Sequence, residues 1–281
     1  MNLFDVDNPF RLARRGTVEY IEAEALSALG FVTHAFCTRL GGVSTGPYSS
    51  LNLGFLAGDR VEDVRRNQAL VEEAFAVPEG GLILMKQVHG SRIRIADDPG
   101  ALTGGLPECD GLITGRPGIA LGVRTADCVP LFFVDPVRRV IGAAHAGWRG
   151  TADGIAAAMV ETLAERFSSQ REDLLVVIGP AIGSCCYQVD EPVFAAFSAL
   201  PGAGQFLRPC SQKGRWMLDL ALANGLGIRQ AGVPAGNIFS TGLCTACRKD
   251  LFFSHRAGKG MAGRQINVLM LRAEADRPKN A

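Results

Sequence analysis

The chain has 281 residues, of which 47% are hydrophobic and 20% are charged, a composition typical of a globular protein with a large core. Lysine and arginine total 29 against 28 aspartate and glutamate residues, so the overall charge gives no reason to expect binding to nucleic acid or to an anionic membrane. No segment resembles a signal peptide or a membrane-spanning helix, and the irregular spacing of the eight cysteines does not suggest a disulfide framework. We therefore expect a soluble, cytoplasmic protein in a reducing compartment.

The first third of the chain combines short strands with one helix. Strands are predicted at residues 33–38 and 82–88, and Ile93 and Ile95 alternate with polar residues in a third strand. A helix is predicted over residues 59–75, because its apolar residues recur at helical spacing.

The rest of the chain is richer in strands. Further strands are predicted at residues 119–124, 129–134, 140–145, 174–178, 237–241 and 265–272. Helices are predicted over 151–167, with Thr151 or Asp153 as its cap, from Asp190-Glu191-Pro192 onwards, and over 218–230. Strands and helices mixed without strict alternation predict an α+β or layered α/β fold. Because no linker divides the chain, we expect residues 1–281 to form a single catalytic domain.

Two of the four histidines lie at the ends of predicted strands, His89 in KQVHG and His145 in HAGWRG, and Cys128 lies between two strands in TADCVP. Imidazole and thiolate groups are preferred ligands of zinc, and three protein ligands leave a fourth position for water or substrate, as in catalytic sites. The intervals between the three residues match no short spacing rule. A core cysteine and two merely hydrogen-bonded histidines are therefore the alternative interpretation.

The segment HAGWRGTADG predicts a strand, a glycine-rich turn and the start of a helix. Free N–H groups at a helix start, close backbone approach at Gly147 and Gly150, and the charge of Arg149 would together suit phosphate. Arg39, in the loop sequence TRLGGVSTGPYSSLNLG, is a second candidate anion contact. An ordinary turn is the alternative in both places.

Four further cysteines form two short motifs. No second CxxC or histidine pair completes Cys244-Thr-Ala-Cys247, which favours a structural or incidental role. Cys185 and Cys186 are interpreted as core thiols on a strand. With one set of three ligands identified, about one zinc ion per chain is expected.

Read together, seven segments strengthen the zinc interpretation: THAFCTRLGGVSTGPYSSLNLG, KQVHG, CDGLITG, TADCVPL, HAGWRGT, IGPAIGSCCYQV and LFFSHR, in this order. The ordered set resembles the YfiH-type laccase-domain family, also called the multicopper polyphenol oxidase family, from about residue 30 to residue 272. The resemblance implies a single layered α/β/β/α domain with mixed sheets and a zinc ion held by His89, Cys128 and His145. It also implies small-molecule partners, namely purine nucleosides and phosphate.

Three activities follow from this reasoning. The resemblance implies phosphorolysis of adenosine, inosine and methylthioadenosine to free base and sugar 1-phosphate, together with adenosine deamination. A cysteine hydrolase using Cys128 with His145 or His89 is the second interpretation. A copper-dependent polyphenol oxidase ranks third, because four histidines cannot supply both a blue-copper centre and a trinuclear cluster, although copper could occupy the zinc site.

Smaller questions stay open at this point. Asp127, beside Cys128, is a candidate for proton handling, with a turn or capping role as the alternative. A binding module without catalysis would need no metal-competent cluster. An editing role in cell-wall precursor synthesis is a further possibility that the family resemblance implies, and no oligomer is required.

Overall fold

The computed structural model describes residues 9–55, 58–97 and 105–273, so both ends of the domain predicted over 1–281 lie outside the described residues. The strands, in chain order, are β1 (Phe10–Arg15), β2 (Val18–Ala23), β3 (Val32–Cys37), β4 (Leu82–Ile83), β5 (Ile93–Ile95), β6 (Gly111–Thr114), β7 (Ala120–Thr125), β8 (Val129–Asp135), β9 (Val140–Ala146), β10 (Leu175–Ile178), β11 (Gln188–Val189), β12 (Leu207–Pro209), β13 (Trp216–Leu218), β14 (Ile238–Ser240) and β15 (Gln265–Leu271). The α-helices are α1 (Glu24–Ser27), α2 (Val61–Ala74), α3 (Trp148–Ala152), α4 (Ile155–Phe167), α5 (Glu191–Ser198), α6 (Ala203–Phe206) and α7 (Leu220–Gln230), and short 3-10 helices lie at Gly46–Tyr48, Arg171–Asp173 and Ala235–Asn237.

Two six-stranded sheets form the framework. The first has the order β1-β2-β3-β15-β7-β4 and the second the order β14-β10-β8-β9-β6-β5, and a three-stranded sheet β11-β13-β12 lies beside them. Both large sheets are mixed: β4 runs parallel to β7, and β5 parallel to β6, whereas the central pairs are antiparallel.

Alternating side chains place the sheets face to face. In β15, Leu269 and Leu271 belong to the core between the sheets, whereas Ile266 and Val268 pack on the opposite side towards α2. This is the two-residue period of a strand buried on both faces. Across the central core, the Phe36 ring of the first sheet stacks on a ring of the second sheet at a centroid distance of 4.4 Å.

The outer face of the second sheet is covered by helices. Met159 and Leu163 of α4 pack with Leu131 and Phe133 of β8 in one buried cluster. The resulting order of layers, from α2 through the two sheets to the helices after β9, confirms the predicted α/β/β/α arrangement. Among the described residues, no helix combines the length and the apolarity needed to cross a bilayer.

The strand predicted over residues 82–88 is wrong beyond Leu82–Ile83. Side-chain hydrogen bonds replace the ladder there: the Gln87 amide donates to the carbonyl of Arg124 at 2.8 Å and accepts from its N–H at 2.9 Å. His89 therefore lies in a loop.

The helix predicted over residues 151–167 is two helices, α3 and α4, divided where Gly154 adopts a left-handed φ of 78°. The predicted cap at Thr151 or Asp153 is also wrong, because α3 begins after Gly147 and α4 after Gly154. The Thr151 hydroxyl instead accepts a hydrogen bond from Asn224 at 2.9 Å.

The interpretation of Cys185 and Cys186 as core thiols on a strand is wrong. Both lie in a turn, Cys185 exposed and Cys186 half-buried, and their sulfur atoms meet those of Cys244 and Cys247. We call these residues the four-cysteine cluster. The CxxC motif is thus completed by a CC pair from a distant part of the sequence, a combination that no spacing rule predicts.

Candidate active site

His89, Cys128 and His145 converge as predicted, and we call them the histidine–cysteine cluster. Their ligand atoms all lie within 4.8 Å of one another, and the two imidazole rings meet edge to face at a centroid distance of 4.8 Å. Cys128 directly precedes β8 and His145 lies in β9, where it pairs in register with Pro130. Antiparallel pairing thus brings the thiol and one imidazole to the same end of the second sheet.

Asp110, directly before β6, holds the ring of His145 and the main chain of His89, and it was not predicted from the sequence. Its fully buried carboxylate accepts hydrogen bonds from His145 Nδ1 at 2.8 Å and from the main-chain N–H groups of Val88, His89 and Gly90 at 3.1, 3.0 and 2.8 Å. Burial raises the pKa of Asp110, but the hydrogen bonds from His145 and Gly90 outweigh it and the net pKa is lowered. The available signal was an acidic residue adjoining an apolar strand in CDGLITG.

The histidine–cysteine cluster favours a thiolate. Burial acts to raise the pKa of Cys128, yet the imidazoles of His145 and His89 lower it to about 6. Burial likewise acts to lower the pKa of His145, which the Cys128 thiolate and the Asp110 carboxylate raise to about 9. A thiolate beside two imidazoles fits a soft or borderline metal ion. It equally fits a nucleophile with its partner acid.

Close packing around the cluster requires glycine at two positions. A Cβ on Gly147 would lie 2.8 Å from Cδ2 of His89 and 3.3 Å from Sγ of Cys128, and one on Gly150 would lie 2.6 Å from the carbonyl oxygen of Gly90. The convergence of the ligands therefore depends on these two glycines. Their predicted backbone contact with phosphate stays a prediction.

Two residues of the site have left-handed backbones, His89 with φ 60° and Asp127 with φ 88°. Such conformations are uncommon for residues other than glycine and concentrate at functional sites. One of these conformations is at a cluster residue, His89, and the other is directly before the cluster residue Cys128.

A cavity of about 590 Å³ opens over the histidine–cysteine cluster. Its basic lining residues are Lys86, Arg124, Arg149, Arg256 and Arg264. Aromatic and apolar surface comes from Phe55, Trp148, Tyr187, Ile182 and Leu220, and Asp127 is the one acidic residue among the described residues of the wall. The cavity therefore suits a ligand with an anionic part and a flat, apolar part.

The predicted anion contacts separate in the structure. Arg149 lines the cavity, with its guanidinium 4.3 Å from the ring centroid of Trp148. Arg39 lies outside the cavity, where it donates to the carbonyls of Ser49 and Lys249 and stacks on Phe253. Its side chain stabilises loop structure, so its predicted role at an anion site is not supported by its position.

Both carboxylate oxygens of Asp127 are engaged by distant loops. Its two carboxylate oxygens accept hydrogen bonds from the Thr245 hydroxyl at 2.6 Å and from the N–H of Arg256 at 2.7 Å. These long-range contacts tie the Cys128 segment to two distant loops, and both predicted roles of Asp127, in proton handling and in a local turn or cap, stay predictions.

Sequence comparison and structural comparison agree on the relatives of this chain. Residues 33–272 match the family described as multi-copper polyphenol oxidoreductase laccase. The chain is 40% identical over 244 residues to a Geobacillus stearothermophilus protein named purine nucleoside phosphorylase YlmD, with 84% of this chain and 89% of that protein covered. A Deinococcus radiodurans protein named purine nucleoside phosphorylase is 39% identical over 243 residues, with coverage of 85% and 89%.

Solved structures extend the match to the fold. The crystal structure of the Bacillus licheniformis protein YfiH superposes with a TM-score of 0.87 at 38% identity, covering 94% of this chain and 100% of that one. The structure of YlmD from Geobacillus stearothermophilus gives a TM-score of 0.86 at 36% identity, with 95% and 100% covered. The predicted family resemblance and mixed α/β fold class are thereby confirmed.

Proposed function

We propose that this chain, which belongs to the multi-copper polyphenol oxidoreductase laccase family, is a zinc-dependent purine nucleoside phosphorylase. The observation that carries the proposal is the position of a metal-competent cluster at the base of a cavity with basic and aromatic walls. Relatives named purine nucleoside phosphorylase support the same activity. The substrates proposed are adenosine, inosine and methylthioadenosine, with adenosine deamination as a second reaction.

His89, Cys128 and His145 would hold the metal ion. The donor set fits zinc because it combines two imidazoles with a thiol whose pKa of about 6 makes it a thiolate at neutral pH. When bound, zinc would supply Lewis acidity and would lower the pKa of a bound water for deamination. Copper could occupy the same ligands, but the other two described histidines belong to no group of metal-competent atoms, because His34 is in the core and His255 lines the cavity away from the three ligand atoms. Two histidines and one cysteine cannot build a multicopper centre.

The basic residues of the wall would bind phosphate. Arg149 is exposed to the cavity, whereas Arg124 and Arg256 are anchored by hydrogen bonds to the carbonyls of Met85 and Gln188. Anchored guanidinium groups set the positive potential of the wall, and a free one can pair with an anion in bidentate geometry. The purine would pack against the aromatic surface of Trp148 and Tyr187.

In phosphorolysis, a phosphate oxygen forms a bond to the anomeric carbon as the bond from that carbon to the purine nitrogen breaks. The electron pair leaves with the base, which takes up a proton from solvent, while the attacking hydrogen phosphate loses one. Positive charge develops on the sugar meanwhile, as in other glycosyl transfers. Arg149 would hold the attacking phosphate in place.

Product analysis tests this function. Purified protein is incubated with inosine or adenosine, with and without phosphate, and the products are identified. We expect free base and ribose 1-phosphate only when phosphate is present, and inosine from adenosine without it. Metal-loaded protein that releases no base in the presence of phosphate would overturn the phosphorylase proposal.

A cysteine hydrolase is the second candidate, favoured by the paired pKa values of about 6 for Cys128 and about 9 for His145. Cys128→Asp separates the two, because a carboxylate can hold zinc but cannot form a thioester. Residual phosphorolysis in a zinc-loaded variant supports the phosphorylase. A substrate adduct on Cys128 of metal-free wild type supports the hydrolase.

A further inference from the structure

The four-cysteine cluster joins two turns that are far apart in the sequence. One turn carries Cys185 and Cys186, and the other carries Cys244 and Cys247. An isolated parallel bridge between Ala181 and Cys244 holds the turns side by side. The adjoining main-chain hydrogen bond runs from the N–H of Thr245 to the carbonyl of Ala181 at 3.0 Å.

The sulfur atoms are spaced as the ligands of one metal ion are. The Sγ atom of Cys247 lies 3.5 Å from that of Cys185 and 3.4 Å from that of Cys186, and all four sulfurs lie within 4.8 Å of one another. Four thiolates about 2.3 Å from a central zinc ion are separated by about 3.8 Å. A disulfide would require a separation of about 2 Å. The spacing is therefore that of a group of ligands around an ion.

The surrounding main chain is arranged for thiolates. The N–H of Gly183 donates to Sγ of Cys244 at 3.2 Å. A Cβ on Gly183 would come within 3.2 Å of Cβ of Cys244 and 3.3 Å of Sγ of Cys185, so the turn packs tightly against both cysteines.

We propose that Cys185, Cys186, Cys244 and Cys247 bind one zinc ion, at a second site that is separate from the histidine–cysteine cluster. Four thiolates close the coordination shell and leave no position for water or substrate, which is the pattern of a zinc site that stabilises structure. A soft, all-sulfur donor set also excludes magnesium and calcium, which take oxygen ligands. The proposal does not depend on the reaction performed in the cavity.

This site would hold one wall of the cavity in place. Thr245, between the two cysteines of the CxxC motif, donates to the Asp127 carboxylate at 2.6 Å. The N–H of Ile182, near the other turn, donates to the Asp127 carbonyl at 2.9 Å. Asp127 adjoins Cys128, so an ion between the turns would fix the segment from which the thiolate of the histidine–cysteine cluster projects.

Metal content of four proteins tests the proposal: wild type, His89→Ala/His145→Ala, Cys185→Ser/Cys247→Ser, and Cys210→Ser. The last is a matched control, since Cys210 is a half-buried thiol outside both clusters. All are prepared under reducing conditions and saturated with zinc or cobalt. We expect two ions in the wild type and the control, rather than the one ion per chain expected from the sequence, and one ion in each double variant, since each removes one of the two clusters.

Cobalt identifies which site is filled, because thiolate-to-cobalt charge-transfer absorption grows with the number of sulfur ligands. The histidine double variant should keep the strong tetrathiolate spectrum, and the cysteine double variant should lose it. If the cysteine variant does not fold, the metal content and cobalt spectrum of the histidine variant test the proposal by themselves. A folded histidine variant that binds no ion would overturn the proposal. So would a folded histidine variant in which the four cysteines form disulfides that persist under reducing conditions.

Discussion

His89, Cys128 and His145 meet at the end of a sheet, whereas Cys185, Cys186, Cys244 and Cys247 meet between two turns. In the first cluster a buried carboxylate, Asp110, holds one imidazole and the loop of the other. In the second cluster two of the cysteines are exposed, and a main-chain N–H, that of Gly183, donates directly to one sulfur. A rigid site with an open coordination position is suited to catalysis. Four thiolates that fill the coordination shell of an ion are suited to holding two loops together.

The largest expected effect is the loss of folding stability at acidic pH. Acid also releases metal from both clusters, so the two effects must be separated before the clusters are compared. The buried His34 has a pKa lowered to about 4, by burial and then by the charge of Arg15. As pH falls, the unfolded chain takes up this proton near 6.5 and the folded chain only near 4, so stability present above pH 6.5 is lost between these values. The difference corresponds to about 3 kcal/mol in the free energy of unfolding.

Urea unfolding of metal-free protein at several pH values measures this loss. His34→Gln should flatten the pH dependence between 6.5 and 4. His255→Gln, which changes an exposed histidine, should leave the slope as in the wild type. If the pH dependence of the unfolding free energy is unchanged in the His34 variant, another group causes the acid sensitivity.

Gly147→Ala tests how tightly the histidine–cysteine cluster is built. The new methyl group would lie 2.8 Å from the His89 ring, and the displacement of the ligands should lower phosphorolysis about a hundredfold. Gly227→Ala is the control, because a Cβ there meets nothing within 4 Å and helix α7 gains stability of up to about 1 kcal/mol. Wild-type rates in Gly147→Ala would contradict the packing described here.

Asp110→Asn should weaken metal binding at the histidine–cysteine cluster about 10- to 100-fold, because the carboxylate that orients His145 loses its charge. Competition with a chelator measures the affinity. The control is Asp135→Asn, an equally buried carboxylate that accepts two N–H groups in a distant turn. Equal metal affinity in the two variants would remove Asp110 from the account of the site.

The smallest effect is expected from Arg149→Ala, which should raise the KM for phosphate about tenfold, the value of one charge-assisted hydrogen bond. Deamination, which uses water, should change less. Arg139→Ala is the matched control, since Arg139 also stacks on an aromatic ring, that of Phe31, but lies outside the cavity. Equal loss of both activities would show that Arg149 supports the fold or the metal ligands.

The comparison also explains what the sequence could predict. Long apolar strands such as β8 and β9 were evident from composition, and they carry Cys128 and His145 to one place. His89 was assigned to the same site because the motif around it belongs to the set that resembles a known family. The role of Asp110 could not be predicted, because a single acidic residue before a strand can serve many purposes. Its four hydrogen bonds come from segments that are distant in the sequence.

The four-cysteine cluster and the basic wall were missed for a related reason. Cys186 and Cys244 are separated by a helical region and a small sheet, so no spacing rule joins CC to CxxC. Likewise Arg124, Arg256 and Arg264 come from different elements, and the near-zero net charge of the chain concealed their convergence. Local periodicity predicts elements, whereas sites assembled from loops depend on tertiary pairing.

Metal removal with reconstitution tests the central claim most directly. The wild type is stripped by a chelator, its metal content is measured, and phosphorolysis of inosine is followed as zinc is returned. We predict that turnover disappears in the metal-free protein and returns with zinc alone in the wild type, but not in His89→Ala/His145→Ala when its four-cysteine cluster is filled. Full turnover by metal-free protein, with covalent trapping of Cys128 by substrate, would contradict the account.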